Sequence, residues 1–399
     1  MMQIIDRKQE EKIPPLFRLA FRPFFIGAAM YAVVSIALWG LFWAGNSNIS
    51  QFMYGNPLWW HSHEMLFGFA GAVIVGFSLT AVQTWTGQTG VKGTKLAFLF
   101  GLWLLARLGL IFAAPSYLWM VVDCAWIVGA MIFLAIPIIQ VKQWRNIFFI
   151  PVLFVFTVLN IKYHLMVLKV IPFDLQTIAL ATLTIIAAVV LVVGGRVIPF
   201  FTSRGTKTAP ITRISIIDYA ALIPIWILLI LTVSPVAVSS NILASTYIIA
   251  AVTNLVRFCR WYNHKIMAIP LLWSLHGAYL SMIIGLAWIG GSHLTNTISQ
   301  TIGIHFIAIG GIGAMILAMM ARVSLGHTGR KLQVGRWMMI AFISLFCSLL
   351  ARTLLVVLMP VEVYDAYIIS AILWVMAFTI FSVVYFPVLT QARVDGHPG

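Results

Sequence analysis

The chain has 399 residues, of which 62 % are hydrophobic and only 9 % charged. No soluble fold hides that much apolar surface, whereas a polytopic membrane protein presents it to lipid. The formal charge of +15 does not point to nucleic acid, because nearly all Lys and Arg lie in short stretches between apolar runs, where orientation signals belong.

In chain order, residues 1–22 form a short basic segment without a signal-peptide pattern, so the first apolar run is expected to be a retained span. At about 20 residues per crossing, spans are predicted near 24–44, 60–83, 95–113, 117–139, 147–168, 175–198, 214–234, 241–259, 267–290, 298–321, 337–359 and 365–388, followed by a short tail at 389–399. The expected fold is an all-α polytopic membrane protein, one transmembrane domain over 1–399 with about twelve helices. One set of loops carries twenty-one Lys and Arg, and the opposite set only Lys169. That asymmetry predicts an inner-membrane protein with both termini cytoplasmic. Cys124, Cys259 and Cys347 stand apart in apolar stretches and read as small core residues.

A faint repeat is visible. Spans 2, 6 and 10 end in the similar strings Trp85-Thr86-Gly87-Gln88-Thr89-Gly90, Phe201-Thr202-Ser203-Arg204-Gly205 and Leu325-Gly326-His327-Thr328-Gly329-Arg330. Spans 3 and 11 share Leu-Leu-Ala-Arg, ending at Arg107 and Arg352. Three four-helix units are the architecture this suggests.

Ionisable residues inside spans are few: Glu64, Arg107, Asp123, Lys162, His164, His276, His305 and Arg352, with His61 and His63 at a mouth. Such groups are costly in lipid and by default face the bundle interior, a partner or a bound ion. Imidazole is a common ligand of haem iron and copper, so His61, His63, His164, His276 and His305 are candidate metal ligands. Most fall in the outer half of the membrane, with His276 nearer the middle, which suggests a single buried site. His61 and His63 point about 200° apart on a helix and are expected to face different neighbours. Glu64, three residues after His61, is expected to orient that imidazole. The bland readings are that His61 is an interfacial anchor and Glu64 a helix-end charge. Arg107 and Asp123, on successive spans, are expected to pair, while Lys162 and Arg352 lack an obvious acid in sequence. Haem propionates would supply negative charge to Arg107, Lys162 and Arg352. Gly303, Gly310 and Ala314 form a stripe open either to helix packing or to a flat macrocycle.

The strings Trp60-His61-Ser62-His63-Glu64-Met65-Leu66-Phe67-Gly68-Phe69, Gly195-Arg196-Val197-Ile198-Pro199-Phe200-Phe201-Thr202 and Met320-Ala321-Arg322-Val323-Ser324-Leu325-Gly326-His327-Thr328-Gly329-Arg330 resemble the NnrS family. So do Pro15 to Phe25 and Leu272-Trp273-Ser274-Leu275-His276, so the resemblance covers essentially the whole chain. It implies a twelve-span inner-membrane protein with haem and copper, linked to nitric oxide metabolism and nitrosative stress. By motif it includes His61, His63, Glu64, His164, His276, His305 and His327.

The leading expectation is therefore a haem/copper protein that binds, senses or turns over nitric oxide, supplied by an unidentified electron donor. In it His63 and His305 would approach haem iron, and His61 and His276 copper or a second haem. A haem-copper oxidase or nitric oxide reductase is the second reading, weakened because spans 6 and 7 contain no histidine. The third, from another class, is a twelve-span secondary transporter.

Overall fold

The computed structural model describes residues 11–397 except Pro235 and Asn296. Residues 1–10 of the basic N-terminal segment and residues 398–399 of the tail lie outside the described residues. Among the described residues there are twelve helices long and apolar enough to cross a membrane and no strand. They are α1 (Phe21–Trp43), α2 (Pro57–Thr86), α3 (Gly93–Phe112), α4 (Tyr117–Gln140), α5 (Trp144–Val167) and α6 (Leu175–Thr206). They continue with α7 (Ser215–Val233), α8 (Ser240–Cys259), α9 (Pro270–Ser292), α10 (Gln300–His327), α11 (Arg336–Leu358) and α12 (Val363–Thr390).

Local chemistry explains the ends. Asn56 caps α2 by accepting from the Trp59 amide at 2.9 Å, with Pro57 at the first helical position. Gly87 ends the helix in the left-handed region at φ 68°, where a side chain would be strained. Ser239 and Pro270 start α8 and α9 in the same manner. The predicted boundaries hold within a few residues except at α6 and α10, which run on to Thr206 and His327. Arg196 and Arg322 end the apolar run there, but charge at a membrane edge does not end a helix.

Three spans widen into π-helix: Glu64–Gly71 in α2, Phe306–Gly313 in α10 and Ala351–Leu355 in α11. Such insertions often mark functional sites. The α2 and α10 insertions begin immediately after His63 and His305, and both helices close on a left-handed glycine, Gly87 and Gly329. α6 is α-helical throughout and is followed by Lys207 at positive φ, so this correspondence joins the first and last helix groups and not the middle one.

The chain divides into two units. Unit 1 holds residues 1–175, 320–332 and 378–399, and unit 2 holds 176–319 and 333–377. In unit 2 the small residues of α10 are filled by neighbours, so of the two readings of the stripe it is helix packing that the structure shows. A Cβ at Gly303 would lie 2.7 Å from Ile289, one at Gly310 2.6 Å from Ser281 and Leu349, and one at Gly313 2.7 Å from Trp374. The stripe serves close helix packing.

Several arginines counted as loop charges lie inside the bundle. Arg257 on α8 is 2 % exposed, donates to Asp218 at 2.7 Å and to the Leu191 carbonyl at 3.1 Å, and rests against Gly195. Arg22 is fully buried and donates to the carbonyls of Leu389 and Gln391.

Candidate metal centre

Unit 1 gathers its buried polar groups at one point. His63 closes the first two turns of α2, where Trp59, four residues earlier, stacks on its ring at 4.5 Å. Trp59 is held by an indole hydrogen bond to the Tyr163 carbonyl of α5 at 2.8 Å. Glu64, the first residue of the π-helix, meets His63 Nδ1 with its carboxylate at 2.6 Å. Glu64 therefore orients His63 and not, as the helical spacing predicted, His61.

α4 supplies Asp123 and α5 supplies Asn160 and His164, and all three are fully buried. His63 Nε2 lies 2.8 Å from Asn160 Oδ1 and 3.2 Å from Asp123 Oδ2, and His164 Nε2 lies 3.3 Å from the same Asp123 oxygen. Asn160 donates its amide N–H to Asp123 Oδ2 at 2.8 Å, which fixes its carbonyl towards His63. Arg107 of α3 closes the ring, donating to Glu64 at 2.7 Å and pairing with Asp123. Tyr31 of α1 donates to Glu64, and the Trp126 indole donates to Asp123 at 3.2 Å. The expected Arg107–Asp123 pair is present, and Glu64 is a second acid on the same guanidinium.

Two physical consequences follow. With Nδ1–H of His63 donated to Glu64, its Nε2 faces two acceptors, Asn160 Oδ1 and Asp123 Oδ2, and His164 Nε2 beside them, a convergence that calls for a proton on Nε2 or a cation between these atoms. Ligating atoms of His63, Asp123 and His164 all lie within 4.8 Å of one another. Two carboxylates against one guanidinium also leave a net charge of −1 with neutral imidazoles, which a buried site in a membrane balances with a bound cation or with a proton on His63. His164 Nδ1 is buried with no hydrogen-bond partner among the described residues.

The other predicted residues lie elsewhere. His61 stacks face to face on Trp39 of α1 at 4.2 Å, on the opposite side of α2 from His63, as their spacing requires. Lys162 is exposed. In unit 2, His276 donates from Nδ1 to the Leu272 carbonyl at 2.9 Å and lies 3.5 Å from Thr202. It sits six residues after the start of α9 rather than near its middle. His305 donates from Nδ1 to the Thr301 carbonyl at 2.8 Å. Because Ser281 faces Gly310 and Ile289 faces Gly303, α9 and α10 are antiparallel, and His276 and His305 are offset by about 15 Å along them at 1.5 Å per residue. They do not share a metal ion. The Arg352 guanidinium lies 4.0 Å over the Tyr367 ring. His327 packs beside Phe21 in unit 1, with ring centres 5.5 Å apart.

Tyr31 was not legible in sequence, Asp123 was expected only as the partner of Arg107, and Asn160 shows in sequence only as a residue four before His164 on the same helix face. The signal was present in hindsight: an amide and an imidazole, Asn160 and His164, stand one turn apart on α5, and an acid, Asp123, lies within the preceding span.

A copper ion suits this donor set, two imidazoles with a carboxylate and an amide oxygen behind them. A haem does not fit at His63, whose Nδ1 is taken by Glu64 and whose Nε2 is closed in by Asn160 at 2.8 Å and Asp123 at 3.2 Å.

The fold and site define a twelve-span α-helical membrane protein with a buried histidine–carboxylate centre. The family model described as NnrS protein matches residues 15–393, nearly the whole chain. The chain belongs to the NnrS family, and that membership suggests a nitric-oxide-related membrane protein. No curated protein matches it.

Proposed function

We propose that this protein is an inner-membrane metalloprotein of nitric oxide metabolism or nitrosative-stress resistance, with a copper ion held by His63, His164 and Asp123. The observation that carries the reading is the convergence of His63 Nε2, His164 Nε2 and Asp123 Oδ2 within 4.8 Å in a buried site of net negative charge. Copper supplies a one-electron couple and a coordination position for a small diatomic ligand. The residues around it do the positioning. Glu64 holds the His63 tautomer, Arg107 pairs with both carboxylates, Asn160 fixes the Asp123 rotamer, and the aromatic wall of Trp59, Phe67 and Tyr163 excludes water. Both termini face the cytoplasm in this reading, so the centre lies towards the outer leaflet, reachable by nitric oxide dissolved in lipid. Turnover requires an electron donor. Any haem belongs with the remaining histidines, His61, His276 or His305, since His63 Nε2 is enclosed by Asn160, Asp123 and His164.

The test is metal analysis and copper electron paramagnetic resonance on the purified full chain, beside His63→Ala and His164→Ala. About one copper per chain is expected in the wild type, lost in both variants. Full copper in both variants, or none in a wild type reconstituted with it, overturns the reading. The latter result leaves a structural network in which a proton on His63 fills the centre.

A further inference from the structure

The metal centre is shut off from water. His63, Asp123 and His164 are fully buried, and Trp59, Phe67 and Tyr163 close the flanks of His63. Nitric oxide needs no aqueous route, because a neutral diatomic dissolves in lipid. Nitrite, which one-electron oxidation in water makes of nitric oxide, carries a charge that lipid rejects. An anion of that kind reaches or leaves the centre only through an opening in the protein.

Such an opening lies in unit 1, between the turn before α2 and the loop after α5. It is a cavity of about 530 Å³ whose lining includes Asn56, Met166, Lys169, Val170 and Phe173. Along both helices it adjoins the centre. Met166 is two residues beyond His164, about 3 Å at 1.5 Å per residue, and Asn56 is three residues before Trp59, which stacks on His63. Tyr54 separates the two spaces. Its ring lies 5.8 Å from the His164 ring and 5.3 Å from that of Trp59, and the next two residues, Gly55 and Asn56, line the cavity. The Ser116 amide donates to the Tyr54 hydroxyl at 2.8 Å and holds the ring in place. Gly55, at φ 75°, lets this turn close on Val167 of α5, where a Cβ would collide.

Charge decides what the cavity admits. The loops at this end of unit 1, residues 44–56, 113–116 and 168–174, hold one basic residue, Lys169, and it is part of the lining. Their one acid, Asp174, is not. Asn56 commits its Oδ1 to the Trp59 amide, which leaves its side-chain N–H bonds as donors at the wall. A cation in a cleft with apolar walls raises the local concentration of anions and repels cations. We propose that this cavity is the aqueous entrance of the metal centre for a small inorganic anion, nitrite, which Lys169 concentrates and which passes Tyr54 to reach His164. The proposal rests on the copper reading of the centre. The neutral ligand then comes through lipid and the anion through the cavity.

The experiment follows nitrite binding to the copper-loaded full chain in detergent by stopped-flow absorbance and electron paramagnetic resonance, with nitric oxide as the neutral control. The variants are Lys169→Gln, Lys169→Glu, Tyr54→Phe and Val170→Cys plugged with a bulky maleimide, since Val170 is an exposed part of the lining. Wild type treated with the same maleimide controls for Cys259 and Cys347, which are exposed. Copper content and melting curves verify each protein. Nitrite association is expected to slow about threefold in Lys169→Gln and about tenfold in Lys169→Glu at low salt. The difference closes at about 1 M salt, where the screening length is about 3 Å. The plug slows nitrite about tenfold or more, Tyr54→Phe quickens it by freeing the ring from Ser116, and nitric oxide binding is unchanged throughout. Nitrite rates indifferent to both Lys169→Glu and the plug, or nitric oxide slowed as much as nitrite, overturn the proposal and leave the copper reading standing. A wild type that takes up no copper overturns both.

Discussion

Asp123→Asn is the sharpest perturbation of the metal centre, because it keeps the shape of the side chain and changes only charge and one donor atom. Asp123 accepts from Asn160 at 2.8 Å and from Trp126 at 3.2 Å, pairs with Arg107, and lies 3.2 and 3.3 Å from the two histidine Nε2 atoms. Removing one partner of a buried ion pair destabilises by about 3–5 kcal/mol when the other charge is stranded. Arg107 is not stranded here, since Glu64 still accepts two bonds at 2.7 Å, so the expected loss is that of one charged hydrogen bond, about 1.5–3 kcal/mol. The effect on metal binding is larger. Loss of an outer-shell partner already weakens metal sites by about 10–100-fold, and this change removes a ligand and brings the site charge to zero. A loss of at least about 100-fold in copper affinity, about 2.8 kcal/mol, follows. Chelator competition on detergent-purified protein reads the affinity, and a melting curve of the metal-free form reads the fold. A folded Asp123→Asn that binds copper as the wild type does would refute the argument that this carboxylate is a ligand.

Gly68 sits where a methyl group would come 2.7 Å from Arg107, 2.9 Å from Tyr31 and 3.0 Å from Glu64, so Gly68→Ala is expected to cost about 1–3 kcal/mol by overpacking and to lower copper occupancy, measured by melting and metal content. Asp218→Asn in unit 2 leaves Arg257 with the Leu191 carbonyl and Tyr279, and about 3–5 kcal/mol of stability should be lost with copper content at the unit 1 centre unchanged. His293, just beyond the end of α9, has its pKa lowered from the ordinary histidine value by burial. The folded state thus binds fewer protons there than the unfolded state. Its contribution is complete above about pH 6.5 and is lost as pH falls through that value towards the folded one. A melting temperature that drops on acidification from pH 7.5 to 5.5 should drop less in His293→Gln, and an identical drop in the two proteins would remove His293 as the cause.

What could be read from the sequence follows from which forces act along one helix and which act between helices. The spans were legible because about 20 apolar residues have a single stable use in lipid. The opposite faces of His61 and His63 were legible because a helix fixes them, and the structure puts Trp39 on one side and Trp59, Asn160 and His164 on the other. The partner of Glu64 was not legible. The backbone from His61 to Glu64 is still α-helical, but Tyr31 of α1 and Arg107 of α3 hold the carboxylate on the side of His63 Nδ1, partners that no spacing along α2 reveals. Arg257 falls within the predicted span 241–259 yet was counted among the loop charges, and Asp218 on α7 and the space beside Gly195 on α6 hold it inside the bundle. The repeated Leu-Leu-Ala-Arg was visible from the start, yet two identical arginines differ entirely in what opposes them, two carboxylates in one case and a tyrosine ring in the other. A repeat in sequence thus fixes the backbone frame twice, while the chemistry of each copy is decided by the residues that neighbouring helices bring to it.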